Sequence, residues 1–195
     1  MYKRQGYYPR SSVYSSSEKF VTSVWSQVAE YFKDYDYHLI FETLNEPRLI
    51  GTGYEWWFNK WSIPSEVKDS IDCINKLNQK AVDTIRNTGS NNKGRLIMCP
   101  GYDASIDGAT VSGFKLPTDI SGNKNRIALS VHAYSPYNFA MNVGSGSTST
   151  YTSSIKNELQ GLFSTLKSNF RDKGIPVVLS LIHISEPTRL QLISY

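Results

Sequence analysis

The sequence predicts an α/β fold with a parallel sheet, and three observations carry that prediction. Apolar, strand-like runs alternate with amphipathic helical stretches, the pattern that favours parallel strands joined by right-handed crossovers. The runs end in polar and aromatic groups: Asn45 and Glu46, Pro100 to Asp103, His132 and Tyr134. No glycine-rich phosphate loop follows any run, which argues against a doubly wound nucleotide-binding sheet. Functional groups gathered at the C-terminal ends of parallel strands are what a (β/α)8 barrel shows. Only four strands can be counted, and 195 residues fall short of the roughly 250 that a closed barrel takes.

The elements follow in order. After the Tyr/Ser-rich "GYYPRSSVYSSSEKF", a helix of about four turns begins near Ser17, because Phe20, Val21, Val24, Trp25, Val28, Ala29 and Phe32 recur at spacings of three and four. A strand over His38–Phe41 leads to Glu46, which lies between Asn45 and the stiff Pro47. Residues 51–69 form a Gly/Trp-rich excursion. A second helix spans about 70–87, with Ile71, Ile74, Leu77, Ala81, Val82 and Ile85 on one face and Gly89 as its stop. "GRLIMCPGY" reads as a buried strand closed by a Pro/Gly turn, and "RIALSVHAY" as another. The flexible "GSGSTSTYTSS" leads into a third helix around 153–170, and "GIPVV" opens a fourth buried strand.

Composition narrows the function classes. The net charge of +4 is spread out and Lys and Arg stripe no face, which argues against a nucleic-acid partner. No apolar run reaches the 18 residues or so that a membrane span needs, and no secretory leader is visible. Cys73 and Cys99 form neither a disulfide framework nor a metal-ligand spacing, and read as two buried thiols. Thirteen Tyr, eight Phe and four Trp are many flat rings, which suit sugar faces as well as cores. Trp56, Trp57 and Trp61 read equally as a sugar platform or as packing.

The blocks "HLIFETLNEPRL", "RLIMCPGYDAS", "SVHAYSPYNFAMN" and "GIPVV", taken in order, closely resemble glycoside hydrolase family 5, notably its endoglucanase subfamily 4. The resemblance implies a partial TIM (β/α)8 barrel, roughly the family's strands 4–7 with the intervening helices. It also implies retaining hydrolysis of internal β-1,4-glycosidic bonds in cellulose or related β-glucans. Glu46 matches the family's general acid/base, and Asn45 the amide that bonds the sugar 2-hydroxyl. His132 and Tyr134 match the supporting pair after the sixth strand, with the Tyr134 hydroxyl held on the nucleophile. Such chemistry needs carboxyls and water and implies no metal or cofactor. The expected partner is a β-glucan polymer, met outside the cell by a secreted and monomeric parent enzyme. A xyloglucanase, lichenase or mannanase is the near alternative, and a sugar-binding barrel without catalysis the more distant one.

The chemistry sets two requirements. A proton donor must hold its proton near neutral pH, which needs a partly desolvated carboxyl with a raised pKa, and a barrel mouth supplies burial. It also needs a second carboxyl, about 5–5.5 Å away for retention or about 6.5–9.5 Å for inversion. Glu42 lies four residues back, roughly 13 Å along a straight strand, and reads as a structural carboxylate. Asp103 reads as a solvated loop acid.

The family's nucleophile is a glutamate just after the seventh strand. Here "GIPVV" is followed by "LSLIHISEPTRLQLISY", so Leu181 stands in that place. Glu186 lies roughly 16 Å further along an extended chain, leaving no nucleophile in this chain. Met1–Gln5 and Leu179–Tyr195 resemble translated sequencing-adapter sequence and are set aside as non-native, His183 included. That leaves 6–178 as a partial catalytic barrel. Alone, the chain is expected to be inactive and to fold poorly, since four strands leave two open sheet edges.

Overall fold

The structure, a computed structural model, describes residues 8–180. Its elements run α1 (Tyr14–Phe32), β1 (Phe41–Glu42), α2 (Ser65–Asn87), β2 (Ile97–Pro100), α3 (Ile106–Thr110), β3 (Ile127–His132), α4 (Tyr137–Ala140), α5 (Ser153–Asn169) and β4 (Val177–Ser180). The strands form one parallel sheet in the order β1-β2-β3-β4, each beside its neighbour in sequence. A doubly wound sheet reverses direction somewhere in its order, and a barrel does not. The sheet is therefore the barrel arc that the sequence predicts.

Side chains alternate across the arc with period two. Phe41, Ile97 and Cys99 pack outward against Val21, Trp25 and Ala29 of α1 and Leu77, Ala81, Val82 and Ile85 of α2. Leu129 and Val131 pack outward against Leu162 and Leu166 of α5. Glu42, Ser130 and His132 point the other way, into the barrel. Their strands are in register through Glu42↔Met98 and Pro100↔Ser130. Polar residues at alternate positions of otherwise apolar strands are thus the lining of the site.

Several boundaries differ from the sequence reading. Helix α1 starts at Tyr14, three residues before Ser17, and Val24 lies off its buried face, exposed. Helix α2 starts at Ser65 rather than near 70, its polar first turn including Glu66, whose charge suits a helix N-terminus. Gly89 does stop it, at φ +76°. Strand β1 is Phe41–Glu42 instead of His38–Phe41, because Asp36 holds His38 in a turn through its backbone N–H at 3.0 Å. Strand β4 is half-buried rather than buried, pairing with β3 on one side only among the described residues. Both cysteines are buried free thiols, as expected.

Two buried arginines fasten the loops beneath the sheet. Arg86 grips Asp119 with Nε at 2.9 Å and Nη2 at 2.8 Å, and donates through Nη1 to the carbonyls of Asn92 and Arg95. Arg95 donates to Asn92 Oδ1 and to four backbone carbonyls, those of Phe32, Tyr35, Asp36 and Leu39. A buried guanidinium is tolerable only when its donors are filled in this way. Arg95 fixes the entry of the chain into β1, and Arg86 the entries into β2 and β3.

Candidate active site

The segment after β1 is clamped from three sides, which is how Glu46 comes to face the cleft. Thr43 N–H donates to Met98 O on β2, its hydroxyl donates to Asn78 Oδ1 at 2.6 Å, and its carbonyl accepts from Trp25 Nε1 at 3.0 Å. Asn78 in turn donates to Pro100 O, so α2 ties the ends of β1 and β2 together. Beyond the turn, Leu49 N–H donates to the Tyr102 hydroxyl, and Asp103 N–H donates to Pro47 O at 2.8 Å. Glu46 itself adopts a left-handed φ of +44°. That kink, four residues past the end of β1, turns the carboxylate inward.

Glu46 Oε1 accepts from the Tyr134 hydroxyl at 2.8 Å and lies 2.9 Å from His132 Nδ1. Its Oε2 is 3.6 Å from Arg48 Nη1. The other ring nitrogen of His132, Nε2, lies 3.2 Å from Glu42 Oε1, and Ser130 donates to that same oxygen. The imidazole therefore bridges two carboxylates, one ring nitrogen beside each. Sequence spacing put Glu42 roughly 13 Å from Glu46. That estimate assumed extended chain from Glu42 to Glu46, whereas β1 ends at Glu42 and the chain bends at Thr43, Asn45 and Glu46, so one imidazole spans the real gap. Glu42 has Ser130 and His132 as its partners.

Burial pushes the Glu46 pKa up, but the bonds from His132 and Tyr134 and the nearby Arg48 charge outweigh it. The net shift is downward, the opposite of what the sequence argument requires of a proton donor. Donors surround the carboxylate here: His132, Tyr134 and Arg48. Tyr134 is pushed up to about 12 by burial and by its bond to Glu46. Its hydroxyl, expected on a nucleophile, rests on Glu46. The expected nucleophile position at Leu181 lies outside the described residues.

Asn45 is exposed at the end of β1, beside Glu46. A cleft of about 940 Å³ is lined by Glu46, His132, Tyr134, Asp103, Trp56 and Trp57. Trp56 and Trp57 are 61% and 69% exposed, so their rings are not core packing. The Arg48 guanidinium lies 3.8 Å over the Trp56 ring and 3.5 Å from Glu55 Oε1, which holds that tryptophan at the mouth. Trp61 is 89% exposed and lies outside the cleft lining.

Sequence reasoning missed Asp103 and Arg48. Asp103 is no solvated acid: burial raises its pKa to about 7, and its Oδ1 is buried without a hydrogen bond among the described residues. Nothing in "PGYDAS" signals this, because the cause is a backbone contact made elsewhere. Arg48 stands two residues after Glu46, and that spacing was the available hint.

An inward-facing carboxylate held by histidine and tyrosine at the strand ends, under exposed tryptophans, defines the class of carbohydrate-active (β/α)8 barrels. The chain belongs to the cellulase family, glycosyl hydrolase family 5, whose model matches residues 3–181. It is 47% identical over 166 residues to endoglucanase A of Clostridium longisporum, covering 85% of this chain and 30% of that protein. Among solved structures, a family 5 lichenase from Caldicellulosiruptor sp. F32 in complex with cellotetraose superposes with a TM-score of 0.84 at 44% identity, over 91% of this chain and 48% of the other. A broad-specificity endoglucanase from Ruminococcus champanellensis with bound cellotriose gives 0.78 at 37% identity, over 91% and 48%. A xyloglucan-specific endo-β-1,4-glucanase from a metagenomic library gives 0.74 at 32%, over 89% and 48%. The chain thus spans about half the length of these solved relatives.

Proposed function

We propose that this chain carries the proton-donor half of the active site of a retaining endo-β-1,4-glucanase. The observation that carries the reading is Glu46, turned into the cleft by its positive φ and held there by His132 and Tyr134. In this reading Glu46 protonates the departing glycosidic oxygen, then serves as base toward water in the second step. Asn45, exposed next to it, is placed to meet the sugar 2-hydroxyl. The nucleophilic carboxylate of such an enzyme belongs just past β4. Its charge would supply the like-charge repulsion that lifts the Glu46 pKa, and it would draw the Tyr134 hydroxyl away from Glu46.

The substrate is a β-glucan polymer, and a polymer of that size implies a secreted enzyme, which acts as a monomer. Relatives that are a lichenase and a xyloglucan-specific glucanase support a β-1,4-linked glucan without selecting one. Alone, the 195-residue chain does not cleave.

The test has three parts. Nucleotide sequence across both ends recovers the extended reading frame. The extended protein hydrolyses cellotetraose with β-configured first product, and a panel of glucans ranks its substrates. Glu46→Gln lowers kcat by about 10²–10⁴-fold, the range of general-acid catalysis. Undiminished turnover by that variant removes Glu46 from the chemistry.

A further inference from the structure

We propose that Asp103 binds a hydroxyl of the leaving-group sugar, on the side of the cleft that Glu46 protonates. The inference rests on Glu46 being the proton donor, because the donor stands beside the leaving-group oxygen and so marks that side.

The placement of Asp103 is built by backbone packing. Gly101 and Gly108 press the start of the loop after β2 against α3. A Cβ at Gly108 would sit 1.9 Å from Tyr102 O, and one at Gly101 would sit 2.6 Å from Gly108 O. Chain between these contacts passes through left-handed backbone at Asp103 (φ +56°) and Ala104 (φ +50°). Such conformations persist in non-glycine residues only where surrounding structure holds them. Here the Asp103 N–H bond to Pro47 O does so, and it fastens the loop to the turn carrying Glu46.

The carboxyl this delivers has unused capacity. Its Oδ1 is buried and lacks a hydrogen bond among the described residues, while the side chain lines the cleft beside Glu46, Trp56 and Trp57. Buried polar atoms are normally satisfied, so an unsatisfied one on a side chain that lines a cleft marks a place for an incoming group. The tryptophan rings of the same cleft offer a flat apolar surface suited to a sugar face, and a ring lying there carries its hydroxyls at its rim. A few placed polar groups among aromatic walls is the usual composition of a ligand pocket. A pKa raised to about 7 agrees with a carboxyl that is desolvated and half-protonated near neutrality.

The test uses the extended enzyme and two substrates. Cellotetraose places sugar on the leaving side, whereas 2,4-dinitrophenyl β-cellobioside releases a phenolate and places none there. For Asp103→Ala the ratio of kcat/KM, cellotetraose over aryl cellobioside, falls about tenfold, mostly through KM, the size of one lost hydrogen bond to a polar ligand group. Asp103→Asn, which keeps a polar head of the same shape, restores most of the ratio. Binding of cellotetraose in the Glu46→Gln background, read by calorimetry, weakens about tenfold on adding Asp103→Ala. An unchanged ratio together with unchanged binding overturns the proposal, and so does an equal loss on both substrates. Turnover retained by Glu46→Gln overturns the proton-donor reading instead, and leaves the binding measurement able to judge Asp103.

Discussion

Asp103→Asn isolates the energetic cost of one ionisation. The folded carboxyl holds its proton up to about 7, against an ordinary value of 3.8. Burial is the main cause; Glu46 and Glu55 push the same way, while Arg48 and His132 oppose. Unfolded chain loses this proton near pH 4, so between about 4 and 7 the folded state binds more protons than the unfolded one. Stability therefore declines across that window as pH rises, and is flat above it. Three units at about 1.36 kcal/mol each set a ceiling of about 4 kcal/mol, and residual solvent in the cleft brings the expected value to about 2–4 kcal/mol. The amide of asparagine has no charge to desolvate, and asparagine tolerates positive φ, so backbone strain is unchanged. The assay is urea unfolding of the extended wild-type and variant proteins at pH 4 and pH 8. The variant is more stable relative to wild type at pH 8 than at pH 4 by about 2–4 kcal/mol; contributions from other titrating groups largely cancel in that difference. An equal gap at the two pH values shows that the carboxyl is solvated and refutes the reasoning.

In this chain, where the Tyr134 hydroxyl donates to Glu46 Oε1, Tyr134→Phe removes that donor and raises the Glu46 pKa, read by NMR titration of the Glu46 carboxyl; an unmoved titration contradicts the bond. Asp119→Ala strands the buried Arg86 charge and costs about 3–5 kcal/mol in urea unfolding, where a loss below about 1 kcal/mol would show the pair to be surface-like. Gly108→Ala drives a methyl into the Tyr102 carbonyl, costs about 1–3 kcal/mol and, by moving Asp103, weakens cellotetraose binding; wild-type stability would mean that the two backbones do not touch.

What could be read from the sequence was whatever depends on periodicity. Strands β2 and β3 were visible because their apolar runs are continuous and end in turn residues, and α2 because its apolar face is regular. Glu46, His132 and Tyr134 were legible because each stands just past or at the end of such a run. The misses share another origin. Arg86 and Arg95 drew no reading at all, since nothing local tells a guanidinium that it will meet carbonyls from distant loops. Asp103 read as solvent-facing because its burial comes from Gly101 meeting Gly108. The Glu42–Glu46 separation was overestimated because linear spacing assumes extended backbone, and the chain bends directly after Glu42. The direction of the Glu46 pKa shift was missed because burial was counted while its three cationic or hydrogen-bonding neighbours were not.

The Arg95 side chain reads the 32–39 connection through main-chain oxygens at four of its five contacts, and the fifth is Asn92. It is therefore blind to the spelling of that connection. Tyr35 and Asp36 can be exchanged for many residues without loosening the grip, whereas lysine at position 95 has one ammonium where five acceptors wait. Mutational tolerance in this corner should run opposite to intuition: permissive along the exposed bend, and unforgiving at a charged residue hidden behind it.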